Sequence, residues 1–228
     1  MLRHPAVLFL MVVAGTGARA AVIVPDDPQV AFKAVADRLH SSVVGFRARA
    51  AVALPPGSDA RQAVQTEVFG TGVLIGGGLA VTTLYSVGAV SPGKMTAWSD
   101  IEALVQSSGP VAAEIVGWFP ELGLAVLRLA KKPSIEGVVF ASTPPAPGDA
   151  LVAMGTDDET VSVVGVTVGA VRGDELFLTS TRRVDSRYWG GPLFDQHGRL
   201  AGISLPSLTP KAVSSVAIAG LVDRFRTP

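Results

Sequence analysis

Much of the chain alternates apolar and polar residues with the two-residue period of a half-buried β-strand. Residues 44–50 alternate apolar side chains with glycine or arginine, and residues 161–171 form a further, valine-rich alternating strand. From Glu67 onward, short apolar runs are separated by turn-forming residues, at Gly76 to Gly78, Ser91 to Gly93, Ser107 to Pro110, Pro144 to Asp149 and Arg172 to Asp174. Many strands at this spacing predict an all-β sandwich or barrel.

Two stretches near the ends of the chain have a helical pattern instead. Residues 26–28 offer an acidic cap and a first-turn proline, and four apolar residues then share one helical face: Phe32, Val35, Ala36 and Leu39. Residues 214–226 predict a short closing helix. Between the first two strands, residues 54–66 contain Pro55-Pro56-Gly57 and several polar residues, which predicts a surface loop.

The first twenty residues have the three parts of a secretory signal peptide. Arg3 gives a positive start, residues 6–14 form a short apolar run, and Ala18-Arg19-Ala20 matches an A-x-A cleavage site. We therefore expect cleavage after Ala20 and a periplasmic or secreted mature protein. An uncleaved membrane anchor is the alternative, but the apolar run is shorter than the roughly 20 residues that span a bilayer, so the mature chain is expected to be soluble.

Composition narrows the possible functions. The chain is 48% hydrophobic and 17% charged, which suffices for a buried core. Removing Arg3 and Arg19 leaves 17 basic side chains against 19 acidic ones, a formal charge of −2, which argues against nucleic acid as a partner. There is no cysteine, so disulfides, thiol nucleophiles and thiolate metal sites are excluded.

One stretch, residues 181–205, carries a recognisable motif. Gly190-Gly191-Pro192-Leu193-Phe194-Asp195 is followed by a turn at His197-Gly198 and by an apolar strand. This resembles the nucleophile loop of trypsin-like serine proteases, most closely the bacterial HtrA type. In that family the loop has the sequence G-N-S-G-G-P-L, and the backbone N–H groups of the serine and of the glycine two before it form the oxyanion hole.

Four further stretches resemble HtrA motifs in the same order along the chain. They are Gly70 to Ile75 with Leu79 to Thr82, then Gly117 to Arg128, then Gly148 to Gly155, then Val216 to Ala219. The resemblance covers about residues 37–224 and implies two six-stranded antiparallel β-barrels with a cleft between them. The barrels are expected at about 42–130 and 135–212, in a single protease-type domain spanning 21–228 and without a PDZ domain.

The resemblance also places the catalytic triad, and none of its three members is present. The general-base histidine aligns with Tyr85, the orienting aspartate with Gly123 and the nucleophilic serine with Trp189. A phenol keeps its proton at neutral pH and cannot shuttle it as an imidazole does. The oxyanion-hole glycine aligns with Arg187, where a side chain disfavours the backbone geometry that glycine permits. These positions predict a filled, non-catalytic site.

Each substituted residue also has a structural interpretation. Trp189 and Tyr85 either pack against each other, as buried aromatic residues usually do, or form a platform for a ligand. Arg187 is expected to be a solvated side chain at the rim of the cleft, with contact to an acidic partner as the alternative. His40 and His197 are expected on the surface, without the neighbours of a metal or catalytic site, so neither a cofactor nor a metal is predicted.

Three hypotheses about function remain open at this point. The leading one is an exported pseudoprotease that keeps the two-barrel fold as a polypeptide-binding, scaffolding or regulatory module, in which a strand edge beside the former cleft adds a peptide strand. The second is an active peptidase with an unconventional nucleophile such as Ser186, which lies three residues before Gly190-Gly191 and lacks an evident base. The third is a structural subunit that forms homo- or hetero-oligomers with HtrA-type relatives.

Overall fold

The computed structural model describes residues 28–52, 64–88, 98–106, 108–157 and 160–226. The predicted signal peptide and the predicted turn at Ser91 to Gly93 lie outside these residues. The elements in chain order are α1 (Pro28–Leu39), a 3-10 turn (His40–Ser42), β1 (Val43–Val52), β2 (Val64–Gly76), β3 (Leu79–Thr83), β4 (Trp98–Val105), β5 (Gly109–Phe119), β6 (Leu124–Leu129), β7 (Ala150–Thr156), β8 (Val161–Arg172), β9 (Glu175–Thr179), a second 3-10 turn (Ser186–Tyr188), β10 (Pro192–Phe194), β11 (Leu200–Leu205), β12 (Lys211–Ser214) and α2 (Ser215–Arg226).

The strands form two closed antiparallel barrels. The first has the order β1-β2-β3-β6-β5-β4, and the second has the order β10-β11-β12-β9-β8-β7. Each barrel has its own buried core, with Phe46 and Leu127 among the residues in the first and Leu176 and Leu193 among those in the second. The predicted fold class, a double six-stranded β-barrel with short terminal helices, is confirmed.

Strand β2 begins earlier than its sequence indicates. Residues 64–66 were expected in a surface loop because they are polar or follow polar residues, but the structure pairs them with β1, from Val64 opposite Val52 to Thr66 opposite Ala50. The expectation was wrong because β1 continues to Val52 and offers backbone hydrogen-bonding groups that β2 satisfies. Local composition carries no information about such a partner.

A third cluster of buried residues lies between the two barrels and includes both helices. The predicted face of α1 is buried there through Phe32, Val35 and Ala36, which pack with Met154 of the second barrel and Val73 of the first. The helix predicted at the end of the chain is present as α2. No helix in the described part of the chain is both long and apolar enough to cross a membrane.

Helix α2 follows the second barrel but ends against the first. The Phe225 ring meets the Phe119 ring edge-on, with centroids 6.2 Å apart, beside Gly117, where a Cβ atom would come within 2.8 Å of the Phe225 ring. Arg226 donates to the carbonyl of Ile75, 151 residues earlier in the chain, at 3.3 Å. The end of the described chain is therefore attached to strands of the first barrel.

Candidate active-site cleft

Tyr85, which the sequence predicts at the general-base position, lies in the turn that follows β3. The turn is fixed by Ser86, whose backbone N–H donates to Thr83 Oγ1 at 3.3 Å and whose hydroxyl is 2.8 Å from the same oxygen. The Tyr85 carbonyl accepts from the N–H of Gly88 at 2.8 Å. The backbone is thereby held so that the half-buried phenol ring faces the second barrel.

Gly123, which the sequence predicts at the position of the orienting aspartate, lies in the turn between β5 and β6. Its carbonyl accepts from the N–H of Leu84 at 2.8 Å, which places it beside the Tyr85 turn. Its φ of 68° lies in the left-handed region, which costs an L-residue about 1–2 kcal/mol. A Cβ there would meet no atom closer than Leu205 Cδ2 at 3.8 Å, so conformation and not space disfavours a side chain.

Trp189, which the sequence predicts at the nucleophile position, directly follows the 3-10 turn Ser186–Tyr188. Its ring meets the Tyr85 ring edge-on, with centroids 5.1 Å apart and an interplanar angle of 86°. The structure therefore brings the base and nucleophile positions together as a packed aromatic pair, and it brings Gly123 next to them through Leu84. The two rings are in the contact that the packing interpretation requires, while their use as a ligand platform stays a prediction.

The loop that carries Trp189 is tied to the first barrel by hydrogen bonds. The Trp189 carbonyl accepts from the backbone N–H of Thr71 at 3.1 Å and from the Ser86 hydroxyl at 3.3 Å. The hydroxyl of Thr71 donates to the Arg187 carbonyl at 2.6 Å and accepts from the N–H of Thr156 at 3.0 Å. Thr71 is fully buried, so these bonds are shielded from water and hold the loop in one shape.

The backbone amides of Arg187 and Trp189, which the sequence predicts at the oxyanion-hole positions, both have acceptors within this loop. The N–H of Arg187 donates to Asp185 Oδ1 at 3.1 Å, and the N–H of Trp189 donates to the Ser186 carbonyl at 3.2 Å. An oxyanion hole works only when its donors are free and aimed at the position that the oxyanion will occupy. The 3-10 turn uses both donors for its own closure.

The Arg187 side chain is paired with two carboxylates at the rim. Its Nε and Nη2 donate to the two oxygens of Asp185 at 3.1 and 2.9 Å, and its Nη1 lies 3.9 Å from Asp157 Oδ2. The hydrogen bond from Arg187 is the largest influence on the pKa of Asp185 and lowers it. The same bond raises the pKa of Arg187. Arg187 is exposed, as expected from the sequence. Its two carboxylate neighbours, Asp185 and Asp157, belong to this chain.

Tyr188 has a role that sequence reasoning missed. Its side chain is only 5% exposed and belongs to the core of the second barrel, together with Leu151 and Leu193. Burial raises the pKa of this phenol, because the charged form is poorly solvated there. The aromatic character of Tyr188 was the available signal for burial. A 3-10 turn points successive side chains in different directions, so Tyr188 is buried while its neighbour Arg187 is exposed.

The two glycines of the motif are required by packing. Gly190 has a φ of 82°, and a Cβ on it would come within 2.1 Å of the Thr71 carbonyl oxygen. A Cβ on Gly191 would come within 2.1 Å of the Met154 carbonyl oxygen. Both contacts are with backbone atoms that cannot move aside. These glycines allow the loop to pass between the barrels, whatever chemistry the loop carries.

Ser186 is exposed at the start of the 3-10 turn. Its hydroxyl has no hydrogen-bond partner among the described residues. It lines a cavity of about 190 Å³ together with Phe69, Gly70, Thr156, Asp157 and Arg187. No histidine lines this cavity, so the geometry supplies Ser186 with no imidazole base.

The two histidines of the described chain lie away from the cleft. His40 is exposed at the end of α1, where its Nδ1 is 2.8 Å from the Asp37 carbonyl. His197 is exposed in the turn before β11, and its carbonyl accepts from Arg38 at 2.7 Å. In the part of the chain that the structure describes, no group of three or more His, Cys, Asp or Glu side chains is placed to hold a metal ion.

Comparison with known proteins gives a consistent result for the fold. The family model described as trypsin-like peptidase domain matches residues 70–203, which is more than half of the chain. The active form of the Rv3671c protease from M. tuberculosis superposes with a TM-score of 0.68 at 19% identity, over 95% of this chain and 96% of that one. The inactive form of that protease gives a TM-score of 0.64 at 18% identity, over 88% of this chain and 97% of that one. A comparison with curated proteins gave no significant match.

Proposed function

Because the chain belongs to the trypsin-like peptidase domain family, we propose that it is an exported, catalytically inactive member of that family. In this proposal the domain binds polypeptide and serves as a scaffolding or regulatory module. The similar solved structures include a protease in active and inactive forms, so the family alone does not decide whether this member cleaves peptides. The decision depends on the residues of the cleft.

The observation that carries the proposal is that both loop amides already donate hydrogen bonds within the loop. The N–H groups of Arg187 and Trp189 donate to Asp185 and to the Ser186 carbonyl, so neither is available to a substrate oxygen. Removing a single oxyanion-hole donor costs about 100- to 1,000-fold in rate. Loss of both donors, together with loss of the nucleophile, leaves no path to a stabilised tetrahedral intermediate.

Proton transfer is the second argument for inactivity. A serine nucleophile needs a neighbouring base, and the base must be oriented by a third group. Tyr85 packs its ring against Trp189, and Gly123 has no side chain with which to orient a base. The residues at the three triad positions thus supply neither the nucleophile nor the proton shuttle.

Extended polypeptide is the proposed partner because sheet edges bind peptide backbone through hydrogen bonds that need no catalytic residue. The formal charge of −2 after removal of residues 1–20 gives no overall positive field for nucleic acid. Association with active relatives of the same fold remains a second form of the scaffolding role. Light scattering of the protein alone and mixed with such a relative distinguishes the two.

The first test follows a fluorescein-labelled, carboxymethylated unfolded polypeptide by fluorescence anisotropy over several hours with the chain from Ala21 onward. We expect a saturable rise that then stays constant, because the polypeptide binds and is not cut. An active trypsin-like protease at the same concentration is the control for cleavage. A slow fall of the anisotropy below its starting value, absent in buffer, would show proteolysis and end the proposal of inactivity.

The second test addresses Ser186 as an unconventional nucleophile. A fluorophosphonate probe reacts with activated serines, so we expect no labelling of the wild-type chain and strong labelling of the control protease. Labelling that disappears in Ser186→Ala would establish the alternative, an active serine hydrolase. Labelling that persists in Ser186→Ala would point to another residue.

A further inference from the structure

Strand β8 has two edges, and the edge that faces β9 is paired along only part of its length. On one side it pairs with β7 from Val161 to Thr167. On the other side it pairs with β9 only from Thr167 to Arg172, because β9 ends at Thr179. The first half of β8, residues 161–166, therefore has one edge that no described strand covers.

The backbone groups along this half-edge alternate in direction. The Gly165 carbonyl points away from β7, because it accepts from the Ser180 hydroxyl at 2.9 Å. In an antiparallel strand the N–H and C=O of one residue point to the same side, and every second residue shares that side. The N–H of Gly165 and both backbone groups of Val163 thus face outward, and no described residue is their hydrogen-bond partner.

The residues of this edge include no charged side chain and no proline, and its only cover among the described residues is α1 on one face and the Ser180 hydroxyl on the Gly165 carbonyl. Natural edges are blocked by charged residues, prolines or a covering element, because an open edge recruits another chain. Residues 161–171 contain no charged residue and no proline, and six of the eleven are valine. Gly165 is exposed, and since glycine consists only of backbone, its backbone is accessible to a partner.

A groove runs along the open edge. It has a volume of about 720 Å³ and lies between α1, which contributes Phe32 and Ala36, and the segment after β9, which contributes Ser180 and Arg182. Phe32 lies over Gly165, with its ring 3.5 Å from where a Cβ would be. The groove thus has an apolar wall, a strand edge as its floor and a cation at one end.

Two cationic side chains line the groove, Lys33 and Arg182, and they differ in whether a carboxylate neutralises them. Lys33 is paired with Asp37 at 2.6 Å on the helix side. Arg182 is exposed and forms no ion pair with any residue that the structure describes. A partner strand with a carboxylate near this end would complement Arg182.

We propose that the open edge of β8, residues 161–165, binds an extended polypeptide strand that carries an acidic residue beside Arg182. This inference rests on the proposed polypeptide-binding function and assigns it to a surface other than the former cleft. The outward N–H of Gly165 and the outward N–H and C=O of Val163 can pair with an extended backbone, and a carboxylate on that backbone would complement Arg182. A second copy that pairs through the same residues 161–165 brings no carboxylate within that stretch, and self-association is an outcome of the test.

The test uses a fluorescein-labelled ten-residue peptide of alternating threonine and valine that ends in two aspartates. We expect saturable binding by wild type and about tenfold weaker binding by Gly165→Pro, which removes one outward N–H and blocks the ladder. Gly165→Ala is the matched control, because it keeps the N–H and its Cβ makes ordinary contact with Phe32. Equal binding by the proline and alanine variants would overturn the proposal.

The charge is tested in the same assay. Arg182→Glu should weaken binding about tenfold, and a peptide ending in two lysines should reverse that preference. Arg224→Glu, a change at an exposed arginine of α2, is the control for net charge and should bind as wild type does. Similar losses for the two glutamate variants would show a general charge effect and no built groove.

Amide hydrogen exchange by NMR makes the test independent of variants. In the free protein, the amides of Val163 and Gly165 should exchange much faster than those of Val164 and Val166, which pair with β7. Addition of the peptide should slow the two fast amides. If the peptide binds and the two amides still exchange fast, the peptide binds elsewhere. If the two amides exchange slowly in the free protein and light scattering shows self-association, the edge binds a second copy. Either outcome overturns the proposal.

These outcomes are separable from those of the proposed function. If unfolded polypeptide binds without cleavage but the strand peptide does not bind, the edge proposal fails and the binding module stands. If polypeptide is cleaved, the proposed inactivity fails, and the exchange rates of Val163 and Gly165 with the strand peptide still decide whether this edge binds.

Discussion

The two halves of the loop formed by residues 185–191 differ in which side chains the surrounding structure can accommodate. In residues 190–191, a single added carbon atom would collide with carbonyl oxygens of both barrels. In residues 185–189, the structure accommodates an exposed arginine, a buried tyrosine and a half-buried tryptophan within one 3-10 turn. Packing leaves no room for any side chain in residues 190–191, whereas in residues 185–189 it buries the Tyr188 side chain and leaves that of Arg187 exposed.

This difference explains why a family match and a catalytic site are separate findings. The match over residues 70–203 includes the glycine half of the loop, where packing between barrels dictates the residue. Packing does not dictate serine, histidine or aspartate at positions 189, 85 and 123. The family match therefore supports the fold, and whether this chain keeps a catalytic nucleophile stays with the proposal.

Gly190→Ala tests the packed half and should have the largest effect. The new Cβ would lie 2.1 Å from the Thr71 carbonyl oxygen in a residue with positive φ, so we expect a loss of about 3 kcal/mol or more in the free energy of unfolding. Gly77→Ala is the matched control, since Gly77 also has positive φ but no atom within 4 Å, and should cost only about 1 kcal/mol. Equal losses in urea titrations would mean that conformation alone, and not packing, requires Gly190.

A double-mutant cycle on Tyr85 and Trp189 tests the other half. Edge-on aromatic pairs contribute about 1 kcal/mol beyond burial, so the two alanine variants and their double variant should show a coupling energy of that size. The Phe119 and Phe225 pair has similar geometry, with Phe119 buried in the core and Phe225 partly buried against it, so Phe119→Ala should cost about 3 kcal/mol or more and Phe225→Ala less. A coupling near zero for Tyr85 and Trp189 would show that their contact adds nothing to stability.

The smallest effect is expected at Tyr188 and depends on pH. Burial raises the pKa of Tyr188 above its ordinary value of about 10, so the unfolded chain loses this proton at lower pH than the folded chain does. Stability from this group is therefore complete below about pH 10 and falls as the pH rises further, by up to about 1.4 kcal/mol per pH unit. Tyr188→Phe should match wild type near pH 7 and exceed it above pH 10 in urea titrations at each pH. A constant difference at all pH values would exclude ionisation of Tyr188 as the cause.

The sequence predicts elements whose pattern is local. The alternation in residues 44–50 and 161–171 and the apolar face of α1 are visible without a partner, and the structure has β1, β8 and α1 at these places. Residues 64–66 show the limit, because their strand exists only through pairing with β1. The same limit applies to the half-open edge of β8, which depends on where β9 ends.

For the site, the sequence predicts residues but not their arrangement. The resemblance to the motif predicts that positions 85, 123, 187 and 189 correspond to the catalytic and oxyanion-hole positions, and this correspondence stays a prediction. The capture of the Arg187 amide by Asp185 depends on the side-chain conformation of a residue outside the motif. The positive φ of Gly123 depends on the turn between β5 and β6, and many sequences are compatible with such a turn.

The attachment of α2 to the first barrel has a consequence for how the chain acquires its structure. Phe225 and Arg226 contact Phe119 and Ile75, so the surface of the first barrel is completed by the last helix described. Contacts between residues so far apart in sequence slow folding, because a large loop must close before they form. We therefore expect the packing of the first barrel to be completed only once α2 has docked onto it, as one of the later steps of folding.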